Sequence, residues 1–125
     1  MGVIALGGAL GASLRHTVSL AIRFAHWHPV FGAAFANLIG SFLLGLLVGL
    51  IESRKVHPLV RPFLTIGVFG AFTTFSALAL DNRVLAAESG EALAAIHLAA
   101  SIISGLLAFM LGDLLSGSRT DRGQR

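Results

Sequence analysis

The sequence has no cysteine and no tyrosine, and charged residues make up only 12% of its 125 positions. Without a thiol, neither a disulfide nor a thiolate metal site can form. The charged fraction is about half of that in soluble globular domains, whereas 55% of the residues are hydrophobic. These proportions predict a membrane protein, and the length accommodates one compact domain.

Positive charge is sparse as well, and it lies at the ends of the apolar segments. The formal net charge of +3 comes from arginines at these ends and not from a basic face that could follow a phosphate backbone. We therefore expect no nucleic-acid partner. The sequence also begins without the basic leader of a cleaved signal peptide, so the first apolar segment is predicted to be retained.

The patterns that enzymes use for catalysis are missing. The sequence has no G-x-S-x-G motif and no pair of carboxylates, and His26 and His28 lack a third metal ligand nearby. We therefore expect no enzymatic activity. No carboxylate is predicted near the middle of an apolar segment, which disfavours a proton-coupled four-helix exporter because such a protein needs an acid within the membrane.

Four apolar segments account for most of the chain. At about 1.5 Å per residue their lengths suit the roughly 30 Å hydrocarbon core of a bilayer. The sequence thus predicts an all-α membrane protein with four transmembrane helices and, since the number of crossings is even, with both termini on one side. A polar, basic tail follows, which we expect to be disordered. The predicted helices cover about residues 2–25, 30–51, 63–80 and 92–115, and the tail covers residues 116–125.

The third segment predicts a broken helix. Gly67 and Gly70 loosen the backbone, and hydroxyl side chains lie beside phenylalanines where lipid-facing sequence would carry Leu or Ile. Irregular backbone at membrane depth is tolerated only where it is buried or lines a cavity or an ion site, and opened carbonyls near Gly70 would suit a hard cation such as sodium. The alternative is that the hydroxyls bond back to their own helix. The side chains concerned are Phe69, Phe72, Thr73, Thr74, Phe75 and Ser76.

Two polar residues lie inside other apolar segments. Arg15 must face protein or water, and its role stays open between a functional site and a tie to backbone carbonyls. Asn37 is either a hydrogen-bond partner between helices or a ligand for a permeating species.

An amide, hydroxyls and phenyl edges can together replace the hydration shell of a small anion without a fixed counter-charge. Such weak sites permit conduction, because the ion must also be able to leave.

Small residues recur at four-residue spacing in three of the segments. This spacing places them on one face of a helix, where they let a neighbouring helix approach closely. We therefore predict close helix contacts at Gly7 and Gly11, at Ser41, Gly45 and Gly49, and at Ser101 and Gly105.

Three motifs carry a family resemblance over nearly the whole chain. They are Gly7-Gly8-x-x-Gly11-x-x-x-Arg15, Gly32 five residues before Asn37-Leu38-Ile39-Gly40-Ser41, and Gly67-x-x-Gly70-x-x-Thr73-Thr74-Phe75-Ser76. With these motifs the sequence resembles the Fluc, or CrcB, family of fluoride-specific ion channels. The resemblance implies two subunits assembled antiparallel, sodium held at the dyad by backbone carbonyls, and two pores that each pass fluoride out of the cell through the plasma membrane.

By position, the resemblance also implies roles for individual residues. The backbone carbonyls of Gly70 and Thr73 would bind the structural sodium ion. Asn37 would supply the pore amide and Phe75 the first pore phenylalanine, while Ser101 matches a pore-side position on the fourth helix. The full candidate ion pathway comprises Arg15, Asn37, Thr74, Phe75, Ser76 and Ser101.

Three positions depart from the family's pattern. Leu78 stands where a second phenylalanine is usual, Gly105 where a hydroxyl is usual, and Ala33 where a threonine is common. Each departure removes an aromatic or polar contact from the expected anion track. The sequence leaves open whether one or both pores conduct, and a small four-helix exporter and a non-conducting structural partner subunit stay as alternatives.

Lysine and arginine are distributed unequally over the two sides of the predicted bundle. Positive residues favour the cytoplasm, so the distribution predicts termini inside and one fixed orientation. A fixed orientation favours a related partner subunit inserted the opposite way. Without the tail the two sides are nearly even, and homodimer and heterodimer both stay open. One side has Arg54, Lys55, Arg61, Arg119, Arg122 and Arg125, and the other has Arg23 and Arg83.

Overall fold

The computed structural model describes residues 1–53 and 57–116, and within these ranges every regular element is helical. Arg54, Lys55 and the basic tail residues from 117 onward lie outside the described residues, and they carry most of the charge on which the predicted orientation depends. The elements in chain order are α1 (Gly2–Phe24), α2 (Phe31–Ser53), α3 (Val60–Pro62), a π-helical stretch (Phe63–Phe69), α4 (Gly70–Phe72), α5 (Phe75–Ser89) and α6 (Glu91–Leu115).

Within the described residues, four helical segments are long and apolar enough to cross a membrane, which confirms the predicted four-span, all-α fold. The third of these runs from Val60 to Ser89 and contains the interruption. His28 Nε2 lies 3.0 Å from Glu88 Oε2, so the α1–α2 linker and the α5–α6 turn lie at the same end of the bundle. The start of α1 and the end of α6 consequently lie together at the opposite end, in agreement with termini on one side.

The third span departs from α-helical geometry in two places. After α3 it contains a π-helical stretch, which sequence reasoning did not predict. It then leaves helical conformation at Thr73 (φ −80°, ψ 146°) and Thr74 (φ −153°, ψ 122°). The helix restarts because Thr74 caps α5, with its Oγ1 accepting from the Ala77 N–H at 3.2 Å. This interruption is consistent with the predicted break and lies a few residues beyond Gly70.

The third helical segment extends beyond Leu80, the end predicted from the sequence. Helix α5 continues to Ser89, and a single residue, Gly90, separates it from α6. Gly90 has φ 95°, a conformation that favours glycine. The polar residues after Leu80 stay helical because they find partners in other helices. Asp81 faces the Ala33 N–H at the start of α2, and Asn82 Oδ1 lies 3.2 Å from His97 Nδ1.

Close helix contacts form at several of the predicted small residues. A Cβ at Gly11 would fall on the carbonyl oxygen of Val68, and one at Gly45 would fall on that of Phe109. Helix α1 therefore packs on the π-helical stretch, and α2 packs on α6. On α6, however, the close contact predicted at Gly105 lies at Gly112 instead. At Gly105 an added Cβ would meet only ordinary van der Waals distances, whereas at Gly112 it would fall on the backbone of α2.

Candidate ion pathway

A groove of about 440 Å³ lies beside the interruption of the third span, between α2, α5 and α6. It brings together five of the residues predicted for the site, namely Asn37, Thr73, Thr74, Phe75 and Ser101. Helices α2, α5 and α6 and the break at Thr73 and Thr74 contribute only uncharged side chains to its lining. The complete lining is Asn37, Ser41, Thr73, Thr74, Phe75, Leu78, Ser101, Ile102, Gly105, Leu106 and Phe109.

Asn37 is bound to the backbone of the break by two hydrogen bonds. Its Nδ2 donates to the Thr74 carbonyl at 3.0 Å, and its Oδ1 accepts from the Thr74 N–H at 2.7 Å. The amide thus satisfies one backbone donor and one backbone acceptor that the broken helix exposes. Of the two roles considered for Asn37, the structure shows the hydrogen-bond partner between helical segments. The side-chain amide nitrogen carries two hydrogens, and these bonds use only one of them. The second N–H of Asn37 is available to another acceptor.

Two hydroxyls of the groove are bonded to their own helices. Thr73 Oγ1 donates to the Phe69 carbonyl at 2.9 Å, and Ser101 Oγ donates to the His97 carbonyl at 2.8 Å. This is the bonding pattern considered above as the alternative to an ion site. The Thr74 hydroxyl differs, because it accepts from the backbone that it caps. Ser76 Oγ lies 3.1 Å from Thr74 Oγ1, yet Ser76 itself is exposed and lies outside the groove.

The aromatic edge of the groove comes from Phe75. This side chain is 69% exposed in the single chain, which places it at the rim where a second surface could cover it. Leu78, at the position where a phenylalanine is usual in the resembled family, also lines the groove but is 3% exposed. The departure at Leu78 thus replaces an aromatic wall by a buried aliphatic one.

The break also changes the hydrogen bonding of the two carbonyls predicted to bind sodium. In a continuous helix the Gly70 carbonyl would accept from the N–H of Thr74, but that N–H donates to Asn37. The Thr73 carbonyl would accept from the N–H of Ala77, but that N–H donates to the Thr74 hydroxyl. Both carbonyls thus lose their usual helical donors. Carbonyl oxygens of this kind fit a hard cation.

Arg15 is separated from the groove. It lines a second cavity of about 190 Å³ together with Ala33 and Asp81. Its Nε donates to the Ala71 carbonyl at 3.3 Å, which is the tie to backbone carbonyls considered from the sequence. Ala33 is 4% exposed and faces this second cavity, so the departure from the family's pattern at Ala33 does not change the lining of the groove.

Sequence reasoning assigned Ser41 only to helix contact, whereas the structure places it in the groove. The signal was available, because Ser41 lies one helical turn after Asn37 and therefore on the same face of α2. Phe109 also lines the groove and carried no such signal. Within the described residues, no group of three His, Cys, Asp or Glu side chains could hold a metal ion.

The fold and the groove together define a small multi-pass membrane protein with an uncharged cleft beside a broken span. The chain belongs to the CrcB family, since the sequence model of the family described as "CrcB-like protein, Camphor Resistance (CrcB)" matches residues 2–113.

Curated relatives cover most of the chain. The chain is 39% identical to a "Fluoride-specific ion channel FluC" of Parabacteroides distasonis over 114 residues, which is 90% of this chain and 89% of the relative. It is 40% identical to the protein of the same description from Hyphomonas neptunium over 88% of this chain and 89% of the relative. With that from Mesorhizobium japonicum it shares 37% identity over 93% and 94%, respectively.

Proposed function

We propose that the chain is a subunit of a passive, fluoride-selective channel that exports fluoride and lowers its cytoplasmic concentration. The observation that carries the proposal is the uncharged lining of the groove beside the broken span. The lining combines the amide of Asn37, several hydroxyls and the ring of Phe75. The description of the relatives as fluoride-specific channels supports the same function.

The groove has the chemistry that a small, strongly hydrated anion needs. Hydrogen-bond donors from an amide and hydroxyls can replace water around fluoride, and the positive edge of a phenyl ring adds attraction without a full charge. A lysine or arginine at this place would hold the anion too tightly for conduction. Arg15 stands apart in the second cavity, bonded to the Ala71 carbonyl, so in this proposal it positions the break and does not bind the permeating ion.

The proposed channel is an antiparallel dimer. Phe75 is 69% exposed, so one chain alone leaves the aromatic rim of the groove uncovered. A second subunit, either a copy of this chain or a related one, would complete the wall and close the pathway against lipid. Because many large hydrophobic side chains on the four spans are exposed, we place this dimer in the plasma membrane as a multi-pass protein.

Sodium is proposed as a structural ion at the dyad. The carbonyls of Gly70 and Thr73 lack their usual helical donors, since Thr74 and Ala77 donate elsewhere. One chain supplies two such oxygens and a symmetric pair supplies four, which approaches the coordination that a hard cation needs. When bound, the ion would supply fixed positive charge between the subunits.

The function is tested by fluoride accumulation in cells. We expect a bacterial host without fluoride exporters to hold less internal fluoride when it expresses the chain than when it carries an empty vector. Internal fluoride is measured with a fluoride electrode after lysis. The Phe75→Ile variant, expressed to the same level, serves as the control that ties the effect to the groove. Equal internal fluoride with the chain and with the vector would contradict the proposal.

A further inference from the structure

Ser41 contributes a hydroxyl to the groove that has no hydrogen-bond partner among the described residues. The residue is half-buried on α2 and lines the groove one helical turn after Asn37. Within the described residues its Oγ makes no hydrogen bond. By contrast, Thr73 and Ser101 donate to carbonyls of their own helices. Ser41 therefore has an uncommitted O–H donor in a cleft of mostly apolar surface.

The opposite wall of the groove explains why this hydroxyl is accessible. Gly105 on α6 has no side chain, and the position that its Cβ would occupy lies 3.6 Å from Ser41 Oγ. A larger residue at position 105 would share this space with the hydroxyl. With glycine there, the gap in α6 leaves Ser41 facing the cleft.

We propose that the Ser41 hydroxyl donates a hydrogen bond to fluoride as it passes the gap left by Gly105. The inference rests on the proposed channel function and assigns to α2 a second donor besides the amide of Asn37. Side chains one turn apart on a helix lie about 5–6 Å from each other. An anion could thus move from the spare Asn37 N–H to the Ser41 O–H without crossing a stretch of groove that has no donor.

The test replaces Ser41 and then returns a hydroxyl from the facing helix. In liposomes containing the wild-type channel or a variant, we expect Ser41→Ala to reduce the fluoride efflux rate about tenfold while melting temperature in detergent stays unchanged. The double variant Ser41→Ala/Gly105→Ser is expected to recover most of the rate, because position 105 has room for a side chain. Ser13→Ala is the matched control, since its hydroxyl is exposed and bonded to the Ala9 carbonyl.

The outcomes separate this inference from the proposed function. If the wild-type channel releases fluoride and Ser41→Ala releases it at the same rate, the role of Ser41 is overturned and the channel function is retained. A reduced rate that Gly105→Ser does not restore would show that Ser41 acts through packing, which also overturns the inference. Absence of fluoride efflux from the wild type would contradict the channel function and, with it, the role of Ser41.

Discussion

Asn37 and Thr74 exchange two hydrogen bonds, and this pair fixes the place where the third span is interrupted. From the sequence, Asn37 could be either a contact between helices or a ligand of the ion. The structure indicates that the two roles are compatible, because the bonds to Thr74 use one amide hydrogen and leave the other. A residue in this position therefore cannot be changed without affecting both the break and the groove.

Asn37→Ala is expected to lower both stability and conduction. The substitution leaves the N–H and the carbonyl of Thr74 without partners in a half-buried site, which costs about 1–3 kcal/mol. We expect a lower melting temperature in detergent and loss of most fluoride efflux from liposomes. A loss of stability is expected as well as a loss of efflux, because Asn37 bonds the backbone of the break.

The control for Asn37→Ala is Asn82→Ala. Asn82 also bonds a side chain of another helix, His97, but lies outside the groove. The Asn82→Ala variant is expected to be less stable than the wild type while its fluoride efflux stays near the wild-type rate. An Asn37→Ala protein that melts like the wild type would contradict the structural role of the pair.

Phe75→Ile is expected to reduce fluoride efflux about tenfold with little effect on the folding of the subunit. The substitution removes the positive edge of the phenyl ring from the groove, and it costs little packing because the side chain is 69% exposed in the single chain. Efflux from liposomes and melting in detergent measure the two effects. Phe24→Ile is the control, because Phe24 is 80% exposed at the end of α1. Efflux from Phe75→Ile at the Phe24→Ile rate would place Phe75 outside the pathway.

At the scale of elements, the sequence predicted the four spans and an interruption of the third, and these follow from apolar length and from residues that suit lipid poorly. It did not predict the π-helical stretch, on which α1 packs closely through Gly7 and Gly11. The continuation of α5 past Leu80 was also missed. Local sequence indicated a stop at Asp81, whereas the partners that keep the helix intact come from α2 and α6.

The contact between α1 and the π-helical stretch gives a test of packing. In Gly11→Ala the new Cβ falls on the Val68 carbonyl oxygen, and such overpacking costs about 1–3 kcal/mol. We therefore expect a clear fall in melting temperature. Gly8→Ala is the matched control on the same helix, because nothing lies within 4 Å of its added Cβ and alanine favours helix by roughly 0.8–1.0 kcal/mol. Equal melting of both variants would contradict the close approach at Gly11.

At the scale of the whole molecule, the proposal assigns to one chain half of a pathway and half of a cation site. In the proposed dimer, a second subunit would cover the exposed ring of Phe75 and add a second pair of carbonyls to those of Gly70 and Thr73. The sequence could indicate this only through the family resemblance, because no pattern within one chain specifies what covers an apolar surface. The orientation predicted from the sequence depends mainly on charges outside the described residues.

Replacing sodium is expected to weaken the dimer. An ion that binds the assembled pair and not the separate subunits stabilises the pair by mass action. We expect purification with a large organic cation in place of sodium to shift the protein toward monomer in size-exclusion chromatography, and sodium added back to restore the dimer. Potassium at the same ionic strength controls for screening. A dimer fraction that is the same with and without sodium would remove Gly70 and Thr73 from the cation site.

The central claim, that this chain forms a fluoride-selective pathway, is tested most directly by ion efflux from liposomes that contain the purified protein alone. With equal internal fluoride or chloride and a potassium ionophore to balance charge, we predict rapid release of fluoride and retention of chloride. Release that continues without a proton gradient would distinguish a passive channel from an exporter. Equal release of both anions, or release of neither, would contradict the claim.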